Sequence, residues 1–487
     1  MNLRLKHMTD DTSVQIKKGL VFMKRENGKI SDIKIAYIGG GSRGWAWGFM
    51  SDLVSHDDIS GSVYLYDIDF EAAKHNEIIG NKFNDAKGTL TMWDYKAVKT
   101  AKEALTDANF VVISILPGTF DEMQSDVHAP EKYGIYQSVG DTSGPGGIIR
   151  AMRTVPMYEE IAENIKKYCP KAWVINYTNP MTLCTKTLYR VFPEINAFGC
   201  CHEVFGTQKF LAEMVKEVLG VEKAERSEIK VNPVGVNHFT WLTSAEYNGI
   251  DLYPYYKEFC KKYAEAGYCK GKNIDDNWLN SHFRCEEKVK MDLFLRFGVI
   301  AAAGDRHLSE FCEGKWYLES PERVSEMHFG LTPVSWRKED LKERLAKSAR
   351  LISGEEKTEI KNTGEDGVNQ IRALLGLHEF VTNVNIPNRG QIPNLPIGAI
   401  VETNAVFRNG SVTPVFAGNI PESIYPLISR ICGEQEILSD AIAKRDLNKI
   451  FSAFSNDPLV TCSLKDAKKL FAEMCANTKK YLTMYNL

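Results

Sequence analysis

Residues able to bind a metal follow one of the buried strands predicted from this sequence. Cys201 and His202 come directly after that strand, and His238 lies in the motif GVNHF at 235–239. A thiolate and an imidazole would supply two ligands of a transition-metal site, with substrate oxygens and water at the other positions. The ordinary alternative is a cysteine that packs as a small hydrophobe and a hydrogen-bonded structural histidine. Spacing alone leaves both interpretations open.

A second reactive cluster is Gly304-Asp305-Arg306-His307. A carboxylate beside a guanidinium and an imidazole could remove a proton and hold an anionic or polar substrate. The same residues also occur as a surface ion pair or a loop cap. The cluster becomes a catalytic candidate only with support from elsewhere in the chain.

A glycine-rich turn is the third feature, because residues 34–44 read KIAYIGGGSRG, an apolar strand followed by GxGxxG. Glycine makes the tight turn and lets the backbone approach a pyrophosphate, which the following helix would bind at its N-terminus. A second apolar strand, 63–66, ends in an acid where a ribose-binding carboxylate is expected. The predicted cofactor-binding residues are Gly39, Gly41, Ser42, Gly44 and Asp67. The acid disfavours a 2′-phosphate, so the pattern predicts NAD rather than NADP.

The elements that must position these residues alternate between strands and helices in the first part of the chain. Apolar strands are predicted at 33–38, 63–66, 110–116, 172–176 and 196–200, and residues 158–168 have helical spacing. This rhythm predicts an α/β fold, a Rossmann-like doubly wound parallel sheet that binds ligands beyond the carboxyl ends of its strands. We divide the chain into a polar N-terminal extension (1–31), an NAD-binding domain (32–203) and a mixed α+β, lactate/malate dehydrogenase-like domain (204–487) for substrate, metal and oligomerisation.

Composition excludes several classes of function. A net charge of −3 over 487 residues argues against nucleic acid as a partner. The N-terminal segment lacks the apolar core of a signal peptide, and no run of eighteen apolar residues follows, so no membrane association is expected. Eleven cysteines without framework spacing favour reduced thiols and a cytoplasmic location.

Seven ordered motifs carry a resemblance to a known family. They are IAYIGGGS at 35–42, GPGGIIRAMRTVP at 144–156, INYTNPM at 175–181, CHEV at 201–204, GVNHF at 235–239, GDRHLSEF at 304–311 and IPNRGQIPNLP at 386–396. The chain resembles glycoside hydrolase family four, the NAD- and metal-dependent glycosidases, from about residue 32 nearly to the C-terminus. Most glycosidases cleave the glycosidic bond with a pair of carboxylates, and this family is an exception.

The resemblance implies a redox-elimination mechanism. NAD+ takes hydride from carbon 3 of the sugar, a base removes the acidified proton on carbon 2, the aglycone leaves, water adds, and the hydride returns. Manganese or another divalent metal, held by Cys201 and His238, is implied as the Lewis acid on the sugar oxygens. The resemblance also implies a homodimer or homotetramer.

Further roles follow from the same likeness. Asp305 is the implied base at carbon 2, and His202 the acid that protonates the leaving oxygen. Asn179 and Arg306 are expected to bind substrate, and Asn176 is expected to lie near the nicotinamide ribose. Each role is an expectation carried over from the matching motif.

The expected substrate is a small unphosphorylated α-linked glycoside. Phosphosugar members carry Asp or Asn after the metal cysteine, where this chain has His202, and an arginine in the loop that reads LPGTF at 116–120 here. The form CHEV is similar to the subgroup that acts on α-glucuronides. An α-glucosidase, α-galactosidase or α-galacturonidase of the same family is the alternative, and a simple NAD-dependent dehydrogenase or a non-catalytic sugar or nucleotide sensor is the alternative from another class.

Overall fold

The computed structural model describes residues 23–269, 283–361 and 363–487. Its strands are β1 Lys24–Glu26, β2 Lys29–Ile38, β3 Ile59–Tyr66, β4 Trp93–Val98, β5 Phe110–Ile113, β6 Trp173–Asn176, β7 Asn196–Gly199, β8 Ile229–Val236, β9 Phe239–Tyr247, β10 Ile250–Asp251, β11 Ile300–Ala301, β12 Phe380–Pro387, β13 Ile400–Arg408 and β14 Ser411–Pro414. Its α-helices are α1 Trp45–Val54, α2 Phe70–Phe83, α3 Ala101–Leu105, α4 Phe120–His128, α5 Gly144–Tyr168, α6 Met181–Val191, α7 Glu203–Leu219, α8 Tyr253–Tyr263, α9 Lys288–Phe297, α10 Asp305–Phe311, α11 Gly314–Tyr317, α12 Pro321–Glu326, α13 Val334–Ser353, α14 Gly367–Leu374, α15 Tyr425–Ala443, α16 Leu447–Asn456 and α17 Leu464–Asn477.

The larger sheet contains the predicted parallel strands. Its order is β14-β13-β12-β7-β6-β5-β2-β3-β4, with β1 paired to β2. Strands β2 to β7 pair in parallel, and in chain order they form the 3-2-1-4-5-6 arrangement of a doubly wound dinucleotide-binding sheet. The prediction of a Rossmann-like fold is confirmed. The order reverses between β2 and β5, which places the ligand crevice beyond the carboxyl ends of these two strands.

The C-terminal half of the chain completes this sheet. Strand β12 pairs antiparallel with β7 at Asn385 and Gly199, and β13 and β14 continue outward from it. Sequence reasoning placed a strand near β13 but assigned it to a separate domain, because pairing between distant segments leaves no local signal. It also overlooked β4. Residues 24–26 and 29–31 form a hairpin, so this part of the predicted extension belongs to the sheet, while residues 1–22 lie outside the described residues.

A second, antiparallel sheet supports the candidate site. Strands β8, β9, β10 and β11 form it, and β8 and β9 are joined by a two-residue turn at 237–238. Its apolar side chains enter one core with residues of α5, α6 and α15, for example Ile149, Leu183, Trp241 and Ile428. This core therefore spans the predicted boundary at 203/204.

The cysteines and the helices can be compared with the expectations from composition. No disulfide bond joins any of the eleven cysteines, all of which lie in the described ranges. Within the described ranges, no helix is both long enough and apolar enough to cross a bilayer.

Candidate active site

The glycine turn lies at the crevice in the larger sheet. Gly39 has a φ of +91°, and a Cβ there would lie 2.0 Å from the carbonyl oxygen of Ser114, which follows β5. Gly41 donates its amide to Oδ2 of Asp67 at 2.8 Å, and a Cβ at Gly41 would lie 2.6 Å from the Ala72 Cβ. The two glycines are required by close approaches on opposite sides of the turn.

Other side chains hold the turn from outside. The Asn76 amide, on α2, donates to the carbonyl oxygens of Gly40 and Ser42 at 2.7 and 2.9 Å, and accepts from the Trp47 indole at 2.8 Å. Arg344 of α13 donates to the carbonyl oxygen of residue 43 at 2.9 Å, next to Gly44 at the start of α1. Sequence reasoning identified the turn but neither Asn76 nor Arg344, since both come from other elements.

Asp141, His238 and His307 form a group of potential metal ligands. One side-chain donor atom from each lies within 4.8 Å of the donor atoms of the other two. The two imidazole rings stack with their centroids 3.9 Å apart. Three segments distant in sequence thus converge: the loop before α5, the β8–β9 turn and helix α10.

Hydrogen bonds fix the orientation of His238. The residue occupies the hairpin turn with a φ of +64°. Thr142 donates its hydroxyl proton to Asp141 at 2.7 Å and lies 3.0 Å from Nδ1 of His238. Because that hydroxyl has only one proton, it must accept from Nδ1–H of the histidine, which leaves Nε2 free to bind a metal.

The charges of this group suit a divalent cation. Burial raises the pKa of Asp141, but the neighbouring imidazoles and the Arg150 guanidinium outweigh burial and leave it below its usual range. Burial and the adjacent His307 lower the pKa of His238 to about 3, and burial likewise lowers the pKa of His307. Nδ1 of His307 is buried without a hydrogen-bond partner in the described residues. A carboxylate and two neutral imidazoles are ligands that manganese or a similar divalent ion accepts.

Asn179 and Glu203 border the group. Asn179 donates its side-chain amide to Oδ2 of Asp141 at 3.2 Å, and its own Oδ1 is buried with no hydrogen-bond partner among the described residues. Oε1 of Glu203 lies 3.7 Å from Nε2 of His307, and its Oε2 accepts the Gly304 amide at 2.7 Å. Burial raises the pKa of Glu203, but the surrounding histidines outweigh burial and lower it to about 2. The structure thus places the predicted Asn179 at the group and gives Glu203 a supporting role there.

His202 presents a solvent-accessible imidazole next to Glu203. Its side chain is 50% exposed, with Nδ1 3.2 Å from Glu365 and Nε2 3.9 Å from Glu203. Its ring stacks on Trp45 at the start of α1, with centroids 5.8 Å apart. The hydrogen bond with Glu365 raises the pKa of His202. A cavity of about 230 Å³ opens beside these residues, between α1 and Tyr177.

Cys201 is near the group without belonging to it. Its thiol lies beside the Asn237 side chain, and Asn383 donates to its carbonyl oxygen at 3.3 Å. Burial raises the pKa of the Cys201 thiol well above its usual range. Metal binding by Cys201 stays a prediction, and the structure adds Asp141 and His307 as ligand candidates beside His238.

The position of Asp305 differs from the expectation of a free base. Its carboxylate is fully buried and accepts the backbone amides of Val289 and Lys290, at 3.2 and 3.1 Å, in the first turn of α9. Burial and the neighbouring Glu287 raise the pKa of Asp305 to about 7. Asp305 therefore caps a helix, and this geometry does not favour its predicted role as the base.

Asn176 and Arg306 also have internal partners. Asn176 is fully buried, accepts the Tyr158 hydroxyl at 2.5 Å and donates to the Thr178 carbonyl at 3.3 Å. Arg306 donates to the carbonyl oxygens of Ser138 and Gly330 and to the Thr332 hydroxyl. These hydrogen bonds do not favour the predicted contacts of Asn176 with ribose and of Arg306 with sugar.

Sequence reasoning missed Asp141, and it considered His307 within the cluster at 304–307 but not as a metal ligand. A signal for each was present, since Asp141 lies three residues before the motif at 144–156 and His307 lies within GDRHLSEF. Neither is close in sequence to His238, so only the fold could show that they meet. The fold and site together define an α/β protein with a sheet of the dinucleotide-binding type and a carboxylate–imidazole group at its edge.

Comparison with known proteins gives the family. The model for the family 4 glycosyl hydrolases matches residues 34–217, and the model for their C-terminal domain matches residues 233–460. This chain belongs to the family 4 glycosyl hydrolases. The resemblance identified from the motifs is confirmed, and the protein is a glycoside hydrolase.

Individual relatives are similar over almost their whole length. An α-galacturonidase of Thermoanaerobacterium saccharolyticum is 61% identical over 460 residues, which are 94% of this chain and 98% of the relative. The crystal structure of the Bacillus subtilis protein lplD is 52% identical, covers 91% of this chain and all of its own, and superposes with a TM-score of 0.86. A 6-phospho-α-glucosidase from gut microorganisms, solved with NAD and Mn2+, shares the fold at a TM-score of 0.76 and 21% identity, covering 92% of this chain and 99% of its own.

Proposed function

We propose that this protein is an NAD- and divalent-metal-dependent α-galacturonidase. The observation that carries the proposal is the meeting of Asp141, His238 and His307 beside Asn179, at the carboxyl edge of the doubly wound sheet. That edge is where such sheets bind their ligands. That edge would therefore bring a dinucleotide held by the glycine turn next to a sugar and a divalent cation held by Asp141, His238 and His307.

The choice of galacturonide comes from the relatives. The likeness of the motif CHEV to one subgroup predicts an α-glucuronide as the substrate. An α-galacturonide is one of the alternatives within the family. Four relatives that are 53% to 61% identical are named α-galacturonidase, and each aligns over at least 91% of this chain. Glucuronides and galacturonides differ only in configuration at carbon 4. Because the relatives are named for the galacturonide, we favour it over the glucuronide.

The residues of the site fit both NAD+ and a divalent cation. The turn at 39–44 offers backbone to a pyrophosphate, and Asp67 offers a carboxylate to a ribose; the Asp141 group offers one oxygen and two nitrogen donors to a cation. When bound, NAD+ supplies a hydride acceptor, and the cation supplies Lewis-acid stabilisation of negative charge on the sugar oxygens.

The chain's own side chains have separate tasks in this proposal. Asn179 holds a sugar hydroxyl with its unpartnered Oδ1, because a buried amide oxygen without a hydrogen bond is stabilised by a donor. Glu203 stabilises the Nε2 protons of His307 and His202 electrostatically, because its Oε1 lies 3.7 and 3.9 Å from these nitrogens. His202 gives a proton to the leaving oxygen, since its ring is exposed to an incoming substrate and held between two carboxylates.

The test is a panel of 4-nitrophenyl α-glycosides with NAD+, Mn2+ and thiol in heavy water. Release of nitrophenol from the α-galacturonide, ahead of the α-glucuronide, α-galactoside and α-glucoside, is the expected result. Deuterium should appear at carbon 2 of the released sugar, because elimination removes that proton and water returns one.

NADH absorbance separates this proposal from its rival. A glycosidase regenerates the cofactor in every turnover, so reduced cofactor stays below the amount of enzyme. Accumulation of NADH in step with product, without nitrophenol release, would establish a dehydrogenase and overturn the proposal.

A further inference from the structure

The Arg337 guanidinium has no partner among the described residues, unlike Arg150, Arg153 and Arg306 near the metal-ligand group. It is partly buried in the first turn of α13, and it forms no hydrogen bond or ion pair with any residue that the structure describes. Arg153 pairs with the buried Asp126, Arg150 donates to the Asn179 carbonyl, and Arg306 has three acceptors. A partly buried guanidinium without an acceptor in the described chain is only partly hydrated, so an anion from outside the chain would stabilise it.

The segment that carries Arg337 is fastened to the loop that carries Asp141. The Thr332 amide donates to the Ser138 carbonyl at 3.4 Å, and Arg306 bridges the same two residues. The Val334 amide donates to Nε2 of His128 at 3.1 Å. The contacts of Thr332 and Arg306 hold the segment before α13 against Ser138, three residues before Asp141, and the Val334 contact holds α13 against the end of α4.

The electrostatic surroundings agree with this placement. Burial lowers the pKa of Arg337, and the nearby Asp141 carboxylate acts in the opposite direction. Arg337 in turn contributes to lowering the pKa of Arg306. The positive charge of Arg337 therefore lies close enough to Asp141 and to Arg306 to shift pKa values.

Helix α13 relates Arg337 to the cofactor turn. Arg344 lies seven residues further on, which is about two turns and roughly 10 Å along the same helix face. Arg344 is already bound to Asp340 at 2.6 Å and to the carbonyl oxygen of residue 43 in the glycine turn. The helix thus presents one arginine at the phosphate end of the crevice and a second, without an acceptor in the described chain, toward the metal-ligand group, where the sugar would lie.

We propose that Arg337 binds the carboxylate on carbon 5 of a uronic acid glycone and makes the enzyme select uronides over neutral hexosides. This inference rests on the proposed function. A guanidinium matches a carboxylate with two parallel hydrogen bonds, whereas the hydroxymethyl group of a neutral hexose offers neither the charge nor the second acceptor. The methyl ester of a galacturonide keeps the shape of the group and removes its charge.

The experiment compares three substrates on the full-length enzyme with NAD+, Mn2+ and thiol: 4-nitrophenyl α-galacturonide, its methyl ester and 4-nitrophenyl α-galactoside. Arg337→Gln should lower kcat/KM on the galacturonide roughly 100-fold, as expected for loss of a charge-assisted contact, and change it less than about threefold on the other two. Arg337→Lys should recover part of the loss. Lys338→Gln is the matched control, because Lys338 is the next residue and pairs on the surface with Asp121.

The outcomes separate the two proposals. An equal loss on all three substrates, a rise in KM for NAD+, or unchanged kcat/KM on the galacturonide would overturn the role of Arg337 while leaving an α-galacturonidase. A wild-type enzyme that cleaves no uronide would overturn both. Thermal melting of Arg337→Gln and Arg337→Lys identifies a folding defect, in which case the ratio between substrates for Arg337→Lys decides.

Discussion

The substitution Gly39→Ala tests the reasoning about the cofactor turn. Alanine at a left-handed φ costs about 1–2 kcal/mol relative to glycine. At Gly39 the new Cβ would also lie 2.0 Å from the Ser114 carbonyl oxygen and 2.7 Å from its carbon, so a neighbouring strand end must move. Overpacking of this kind adds about 1–3 kcal/mol. We expect Gly39→Ala to lower the free energy of unfolding by about 2–5 kcal/mol in total. It should also weaken the binding of NAD+, because the turn shifts away from the pyrophosphate.

Gly28→Ala is the matched control. Gly28 has a similar φ of +75°, and nothing lies within 4 Å of a Cβ there. Differential scanning calorimetry should therefore show a fall of about 1–2 °C for Gly28→Ala and about 2–5 °C for Gly39→Ala, at roughly 1 °C per kcal/mol for a chain of this length. Isothermal titration should show NAD+ affinity reduced at least about tenfold only for Gly39→Ala. Equal melting temperatures and equal affinities for the two variants would refute the steric argument.

Three further predictions concern the surroundings of the site. Asp305→Ala should lower the free energy of unfolding by about 1–3 kcal/mol, because two buried amides lose their acceptor. Asp305→Asn should lower it by less. Melting curves that match the wild type for both variants would contradict the helix cap. His307→Ala should weaken Mn2+ binding about tenfold or more in a titration followed by electron paramagnetic resonance, and unchanged affinity would remove His307 from the metal site. Burial raises the pKa of Asp457 to about 6 and that of the adjacent Glu434 well above its usual range, so the folded state holds protons that the unfolded state has released. The stability that this pair contributes is complete below about pH 4 and is lost as the pH rises through 6. Glu434→Gln should therefore make the melting temperature fall less between pH 5 and 8. A pH profile like that of the wild type would contradict this coupling.

The fold was predictable where the signal is local. Each strand from β2 to β7 except β4 reads as a short apolar run, and the glycine turn follows β2 directly. Only a strand near β13 was predicted in the region of β12 to β14, and the region was assigned to another domain, because its partner in the sheet lies almost two hundred residues earlier. The periodicity of a strand shows that it is buried, but it contains no information about its neighbour.

The candidate site was predictable only in part for the same reason. Motifs pointed to His238, Asn179 and the glycine turn, all of which lie at the edge of the sheet. Asp305 has the right residue type for a base, but its carboxylate is turned toward the amides of α9. A sequence gives the type of a side chain and not its direction, so a helix cap and a catalytic carboxylate look alike.

The sequence by itself determined the class of sheet, the position of the phosphate-binding turn and the family, because each depends on residue types within a short stretch. Only the tertiary structure decided which donors meet at the metal-ligand group and that Arg337, close to it, lacks an acceptor in the described chain. Those properties are relations between Asp141, His238, His307 and Arg337, whose segments are joined through hydrogen bonds and a shared core. Contacts of this kind arise when the chain closes on itself, and no single segment encodes them.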